Sequence, residues 1–177
     1  MRNTIRIEKA FAKINLGLKI ISKRSDGYHE ICSLVQTVNL SDRLSFSPAN
    51  STLVSCSDPL VPSDEQNLIE KSLDLFYRNV DLPRKHFRVT LEKRIPIGAG
   101  LGGGSADAAT TLRYLNDLHG RPFDVKELQV LAAELGSDIP FLLEGGTAIL
   151  RGRGEKIDTI TWPHKVYYTL VYPDVAV

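Results

Sequence analysis

"PIGAGLGGGSADAAT", residues 96–110, decides how the chain is read: five of the seven positions from Gly98 to Gly104 are glycine, and the run passes straight into Ser-Ala-Asp-Ala-Ala. A glycine run costs conformational entropy and packs nothing, so it marks a turn, a linker or a backbone that approaches a ligand closely. Flexible linkers are longer and mixed with serine, whereas patterned segments flank this run on both sides. Upstream, "HFRVTLEKRI" alternates Phe87, Val89, Leu91 and Ile95 with Arg88, Thr90, Glu92 and Arg94, the period of a strand, and Pro96 ends it. Downstream, Ala108, Ala109, Leu112 and Leu115 recur at helical spacing up to Leu118, with the small polar Ser105 where the helix is expected to begin. Strand, glycine loop and helix N-terminus in that order bring backbone amides and the positive end of a helix dipole to one place, which suits a phosphate. A tight connection alone needs fewer glycines.

The rest of the composition narrows the class. A chain of 177 residues fits one domain, or one domain and part of another. It is 42% hydrophobic and 24% charged with a formal net charge of +1, and no apolar run approaches a membrane span. No broad basic field points to nucleic acid. The opening "MRNTIRIEKAF" lacks the apolar core of a signal peptide, and Cys32 and Cys56 make neither a disulfide framework nor a metal site. The expectation is a cytoplasmic protein with two reduced thiols and no nucleic-acid or membrane partner.

Strands are expected at about residues 4–11, 12–21, 28–40, 43–47, 86–95, 146–151 and 166–172, with a short one near 53–56. Helices are expected in "SDEQNLIEKSLDLFYRN", with Ser63 and Gln66 in capping-box positions and Leu68, Leu73 and Phe76 on one stripe, and in "DVKELQVLAAELG", from Asp124 and Glu127 to Gly136. Early hairpins followed by mixed strands and helices indicate an α+β fold rather than regular β-α alternation.

Two familiar phosphate loops fit poorly. Gly98, Gly100 and Gly103 satisfy G-x-G-x-x-G, but the acid expected on the next strand of a dinucleotide fold, Asp117, lies at the end of the helix itself. A Walker loop ends in Gly-Lys-Ser/Thr, and this one ends Gly-Gly-Ser. A cation must therefore come from elsewhere. In "AKINLGLKI", Ala12, Ile14, Leu16, Leu18 and Ile20 alternate, which puts Lys13, Asn15, Gly17 and Lys19 on the opposite face. Lys93 interrupts the apolar face of its strand between Leu91 and Ile95, where it either needs a buried partner or snorkels to the surface. In "ELGSDIPFLL", Asp138 follows Gly136 on a short connection into apolar sequence, as a held carboxylate or as an ordinary polar-turn residue. In "RSDGYHE", Asp26-Gly27 reads as a hairpin turn with Tyr28 and His29 opening the next strand, and an exposed turn histidine is the commoner origin of such a residue.

Together "AKINLGLKI", "RSDGYHE", "PIGAGLGGGSADAAT" and "LGSDIPFLLEGGTAILRGRGE" resemble the GHMP kinase superfamily. Within it they resemble the branch that moves the γ-phosphate of ATP onto the 2-hydroxyl of 4-diphosphocytidyl-2-C-methyl-D-erythritol in the non-mevalonate isoprenoid pathway. The resemblance runs from about residue 8 onward. It implies the N-terminal ATP-binding domain of such a kinase over residues 1–165, with a mixed sheet and a left-handed β-α-β unit, and a crossover strand into a second domain at 166–177. It implies Lys13 and Asp138 as catalytic residues. It further implies Asn67, Lys93, Pro96, Gly98, Gly100, Leu101, Gly102, Gly103, Gly104 and Ser105 around ATP, and Asn15, Tyr28 and His29 at the substrate. Ser105 would also meet Mg²⁺. Relatives continue beyond "YPDVAV", so this chain alone is expected to be poorly active. The other readings are a mevalonate or homoserine kinase of the same superfamily, and a nucleotide-binding fragment without catalysis.

Overall fold

The structure, a computed structural model, describes residues 4–62, 66–163 and 165–173. Along these residues the chain forms β1 (Arg6–Lys23), β2 (His29–Ala49), β3 (Leu53–Cys56), α1 (Leu68–Arg78), β4 (His86–Glu92), α2 (Gly103–Leu118), α3 (Val125–Ala132), α4 (Ile139–Leu142), β5 (Thr147–Gly152) and β6 (Lys156–Ile160). The strands make one mixed sheet in the order β3-β4-β2-β5-β6, with β1 paired to β2 off that path. β3 and β4 run parallel with α1 between them in the chain, and the other pairs are antiparallel. The α+β architecture is the one expected.

The first hairpin is longer than its sequence suggests. The expected strands 4–11 and 12–21 are one strand, β1, and 28–40 and 43–47 are likewise one strand, β2, which runs through Ser41 and Asp42. The register between them shifts at Phe11/Lys13, Asn15/Gly17 and Ile20/Ser22. Such irregularities bend a strand and re-aim its side chains. On its other edge β2 pairs with β5 over 31–36 and with β4 over 43–49, so it changes partner across 37–42. Lys13 pairs with Thr37 inside this break. The regular alternation read in "AKINLGLKI" also fails there: Ala12 is buried, but Leu16, Leu18 and Ile20 are exposed. α2 packs on β1, and the register shifts carry the later half of β1 away from that cover.

α2 is the central helix, in contact with β1, β2, α1, α3 and α4. Its expected stripe of Ala108, Ala109, Leu112 and Leu115 is buried, and joins Leu44 and Phe46 of β2, Val89 and Leu91 of β4, and Leu73 and Phe76 of α1 in one core. Burial of such side chains contributes roughly 1.5–3 kcal/mol each against exposure. α1 is capped by Asn67, whose Oδ1 accepts the Ile69 amide at 2.8 Å. Ser63 lies outside the described residues. The Asp124/Glu127 capping box of α3 is present, but the helix ends at Ala132 and a turn follows before Gly136.

Three elements differ further from expectation. α4 is a single turn in the apolar sequence after Asp138, where no helix was expected, with Pro140 in its first turn, where a missing N–H costs nothing. β6 pairs with β5 as an edge strand whose Lys156 and Asp158 hid its pattern. The strand expected at 166–172 is absent, because no described strand runs beside it to complete a ladder. That segment instead reaches the glycine loop, where the Tyr172 hydroxyl donates to the Ile97 carbonyl at 3.4 Å. Residues 174–177 lie outside the description.

Candidate active site

β4 stops at Glu92 because side chains take over its hydrogen bonds. The Lys93 amide donates to Ser57 Oγ at 3.0 Å, and the Arg94 and Ile95 amides donate to Asp42 Oδ1 at 2.6 and 2.9 Å. The chain then enters the glycine loop, where Gly98, Gly100 and Gly102 all have φ near +70°. Gly102 is required twice over: its φ is left-handed, and a Cβ there would stand 3.1 Å from Lys13 Cγ. The Lys13 amide donates to the Leu101 carbonyl at 2.9 Å, which fastens the loop to β1.

α2 starts at Gly103, two residues before Ser105, with Gly102 as its N-cap and no side chain on the cap. Its first internal bond runs from the Ala106 amide to the Gly102 carbonyl. The amides of Gly103, Gly104 and Ser105 thus lie at the positive end of the helix without an intrahelical acceptor. Gly103 and Gly104 border a cavity of about 230 Å³. Asn67, Lys93, Pro96, Gly98, Gly100, Leu101, Gly102, Gly103 and Gly104 line it, with Leu60, Val61, Pro62, Leu68 and Leu91 as an apolar wall. Ser105 is half-buried on the first turn and lies off this lining. Asn67, besides capping α1, donates from Nδ2 to the Pro62 carbonyl at 2.6 Å.

Lys93 faces inward, which settles the choice left open by its sequence. Its side chain is 6% exposed and its ammonium lies between Asp42 and Asp107, with Asp107 Oδ2 at 3.2 Å. Burial alone would push the Lys93 pKa down, but the two carboxylates more than offset this and hold it above the ordinary lysine value. Burial pushes the Asp107 carboxyl up to about 7, against the pull of Lys93 and with the help of the Asp42 charge. Asp107 Oδ1 is buried without a hydrogen-bond partner. The cluster joins β2, the end of β4 and the N-terminal part of α2, and so brackets the glycine loop on both sides. A Cβ at Gly103 would stand 3.0 Å from the Lys93 ammonium, so the helix start rests directly on the cluster.

On the other side of the loop, Lys13 and Asp138 meet. Lys13 is 7% exposed, and its Nζ lies 3.1 Å from Asp138 Oδ2 and donates to Asn15 Oδ1 at 2.8 Å. Asn15 donates to Ser33 Oγ at 2.7 Å, which donates to the Gly17 carbonyl at 2.9 Å. Asp138 occupies the N-cap position of α4 but makes no capping bond with its side chain. Its carboxylate is turned to Lys13 and remains one-third exposed. The result is an accessible carboxylate with an oriented ammonium behind it, next to a helix N-terminus that suits phosphate.

Tyr28 and His29 are exposed at the tip of the β1–β2 hairpin. The Asp26-Gly27 turn is formed as expected: the Arg24 amide donates to the Tyr28 carbonyl at 2.8 Å, the Tyr28 amide donates to Asp26 Oδ1 at 3.1 Å, and Gly27 has φ +86°. Neither residue contacts Lys13 or Asp138 directly. Tyr28 is linked to that pair through the β5–β6 turn, where Arg153 covers its ring. Asp42, Ser33 and Ser57 were not anticipated, and Asp107 was part of the quoted motif without a role. Among the described residues, no group of three or more His, Cys, Asp or Glu side chains converges as for a metal ion, and no helix is long and apolar enough to cross a membrane.

The GHMP kinases N terminal domain family matches residues 67–146, from the Asn67 cap through the glycine loop and Asp138. The 4-diphosphocytidyl-2-C-methyl-D-erythritol kinase of Protochlamydia amoebophila is 47% identical over 149 residues, 84% of this chain and 51% of that protein. That of Bacillus velezensis is 43% identical over 173 residues, 97% of this chain and 60% of that protein. A crystal structure of 4-(cytidine 5'-diphospho)-2C-methyl-D-erythritol kinase superposes with a TM-score of 0.74 at 40% identity, over 89% of this chain and 56% of that one. The Methanococcus jannaschii mevalonate kinase shares the fold, with a TM-score of 0.64 at 16% identity. The chain therefore spans between half and two-thirds of the length of these cytidyl-erythritol kinases. It carries a GHMP kinase N-terminal domain of the kind found in the 4-diphosphocytidyl-2-C-methyl-D-erythritol kinases.

Proposed function

We propose that the protein serves, in the cytoplasm, the ATP-dependent phosphorylation of the 2-hydroxyl of 4-diphosphocytidyl-2-C-methyl-D-erythritol. The observation that carries this reading is the Lys13–Asp138 pair beside the glycine-rich start of α2, in a chain 38–47% identical to kinases of that name. The amides of Gly103, Gly104 and Ser105 hold the nucleotide phosphates, and the apolar wall at Leu60, Val61, Pro62 and Leu91 takes the base. Asp138, within reach of the acceptor hydroxyl, accepts its proton. Lys13 keeps that carboxylate ionised and offsets the charge that spreads over the transferring phosphoryl group. Asn15 and Ser33 hold the ammonium in place.

Ser105, at the start of α2, would offer an oxygen donor to a magnesium ion carried mainly on the nucleotide's phosphates. When bound, the ion supplies further charge neutralisation on those phosphates. Lys93 contributes from below, by fixing the loop, rather than as a direct phosphate ligand. Tyr28 stacks on the cytosine and His29 hydrogen-bonds its edge.

Phosphorylation of a panel of alcohols tests the reading. ATP-dependent transfer to the cytidyl-erythritol acceptor, and neither to mevalonate nor to homoserine, is the expected result. Transfer to mevalonate or homoserine but not to the cytidyl compound would replace it with a different GHMP kinase activity, and ATP binding without transfer to any acceptor would leave a nucleotide-binding domain.

A further inference from the structure

The β5–β6 turn carries two arginines in different circumstances. Arg151 is ion-paired with Asp158 across the turn. Arg153 has no carboxylate partner among the described residues. Its guanidinium lies over the Tyr28 ring, 4.9 Å from the centroid, and one of its N–H groups reaches the Ala133 carbonyl at the end of α3, at 3.4 Å. The acid next to it in the turn, Glu155, is occupied by the backbone, with its Oε2 accepting the Arg153 amide at 2.7 Å. Arg24, the guanidinium on the Tyr28 hairpin itself, is paired with Asp26 at 2.9 Å and Glu30 at 3.0 Å. Arg153 is thus a half-buried cation, steadied by an aromatic face and one carbonyl, with further donors uncommitted.

Its place in the fold gives those donors a use. A Cβ at Gly154 would stand 3.0 Å from the Ser137 carbonyl, so the turn rests against the residue that precedes Asp138. Tyr28, Arg153 and Asp138 therefore follow one another along this side of the protein. A cytidine diphosphate linked to an alcohol has the same order: base, diphosphate, hydroxyl-bearing chain. Arg153 occupies one face of Tyr28, and the ring is 49% exposed, which leaves it open to a base. A guanidinium fork matches phosphate oxygens in geometry as well as charge.

We propose that Arg153 binds the diphosphate of the acceptor, between the base held at Tyr28 and the hydroxyl held at Asp138. The proposal rests on the acceptor reading given above. It is tested by equilibrium binding of cytidine, CMP and CDP to the 177-residue chain and to Arg153→Ala, Arg153→Lys and Tyr28→Ala. In the unsubstituted chain CDP binds about 10- to 100-fold more tightly than cytidine, as charge-assisted hydrogen bonds to phosphate predict. Arg153→Ala removes most of that increment and changes cytidine affinity by less than about threefold. Arg153→Lys keeps part of it, and Tyr28→Ala weakens cytidine and CDP together. Melting temperatures verify that the variants fold, and the lysine variant carries the test if the alanine variant does not. An unchanged increment in Arg153→Ala, with cytidine still bound, overturns the role of Arg153 and leaves the acceptor reading intact. CDP affinity indifferent to both Arg153 and Tyr28 places it at the glycine loop and overturns the proposal. Failure of all three ligands to bind overturns the acceptor reading and this proposal with it.

Discussion

At the glycine loop the polar groups are buried and bonded from behind, with Asp42 wholly inside and the Lys93 side chain 6% exposed. At the Tyr28 hairpin, Tyr28 and His29 project from a turn and Arg153 is half-covered. The first region is preformed, so on the proposed function its fixed amides and dipole would need no reorganisation to meet phosphate. The second is held by surface ion pairs and a ring contact rather than by burial. Lys13 and Asp138 lie where the two meet, with the ammonium sunk in the first region and the carboxylate open to the second. On the proposed function, the difference places rigidity where the phosphates would be aligned and leaves access where an alcohol would enter.

Substitutions distinguish the two regions by what they damage. Lys13→Met removes the charge at their junction and is expected to lower turnover by about 10²–10⁴-fold, with a much smaller change in ATP affinity. Turnover and nucleotide titration on one preparation read both, and a loss confined to ATP affinity would move Lys13 to the phosphate site. Lys93→Met leaves Asp42 and Asp107 facing each other in the interior, and is expected to cost about 3–5 kcal/mol of stability in denaturant unfolding. A variant as stable as the parent would show that the cluster does not anchor the loop.

Tyr28→Ala acts in the opposite sense. Its stability should stay within about 0.5 kcal/mol of the parent, as for an exposed position. Its KM for the cytidyl substrate should rise by the roughly 1–3 kcal/mol that a stacked base contributes, with the KM for ATP unchanged. Equal effects on both substrates would dissolve the distinction between the regions.

A further effect is one of pH. The Asp107 carboxyl, raised from 3.8 to about 7, binds its proton more readily in the folded chain than in the unfolded one. Its contribution to stability is therefore full below about pH 4 and is lost as pH rises through about 7. Asp107→Asn removes that dependence. The stability of the parent relative to Asp107→Asn should fall across this interval, and a difference independent of pH would contradict the buried position of the carboxyl.

Much of this was legible, for identifiable reasons. The order of strand, glycine loop and helix followed from two hydrophobic periods on either side of residues that cannot pack, and α2 buries the expected stripe. Lys93 was conspicuous because it broke an apolar alternation. Asp42 was hidden because Ser41-Asp42 reads as a turn, yet it falls in phase with the buried Leu44 and Phe46 two and four residues on. Asp107 likewise lies one helical turn before the buried Thr111. A charged residue in phase with an inward face was the available signal in each case, and matching Lys93 to the two acids would have found the cluster. The bulges in β1, the single turn of α4 and the absence of a strand at 166–172 depend on tertiary neighbours that local patterns do not encode. Arg153 lay in "RGRGE", where spacing alone does not separate a paired arginine from an unpaired one.

The most direct test of the account is single-turnover phosphoryl transfer from ATP to the cytidyl-erythritol acceptor by the parent and by Asp138→Asn, with ATP affinity measured alongside. The substitution keeps the volume of the side chain and removes its capacity to take a proton. The account predicts a fall of about 10²–10⁴-fold in the transfer step, with ATP affinity within about threefold of the parent. Retention of more than about half the parent rate would contradict the assignment of Asp138 as the base, and with it the reading of the Lys13–Asp138 pair as the reacting centre.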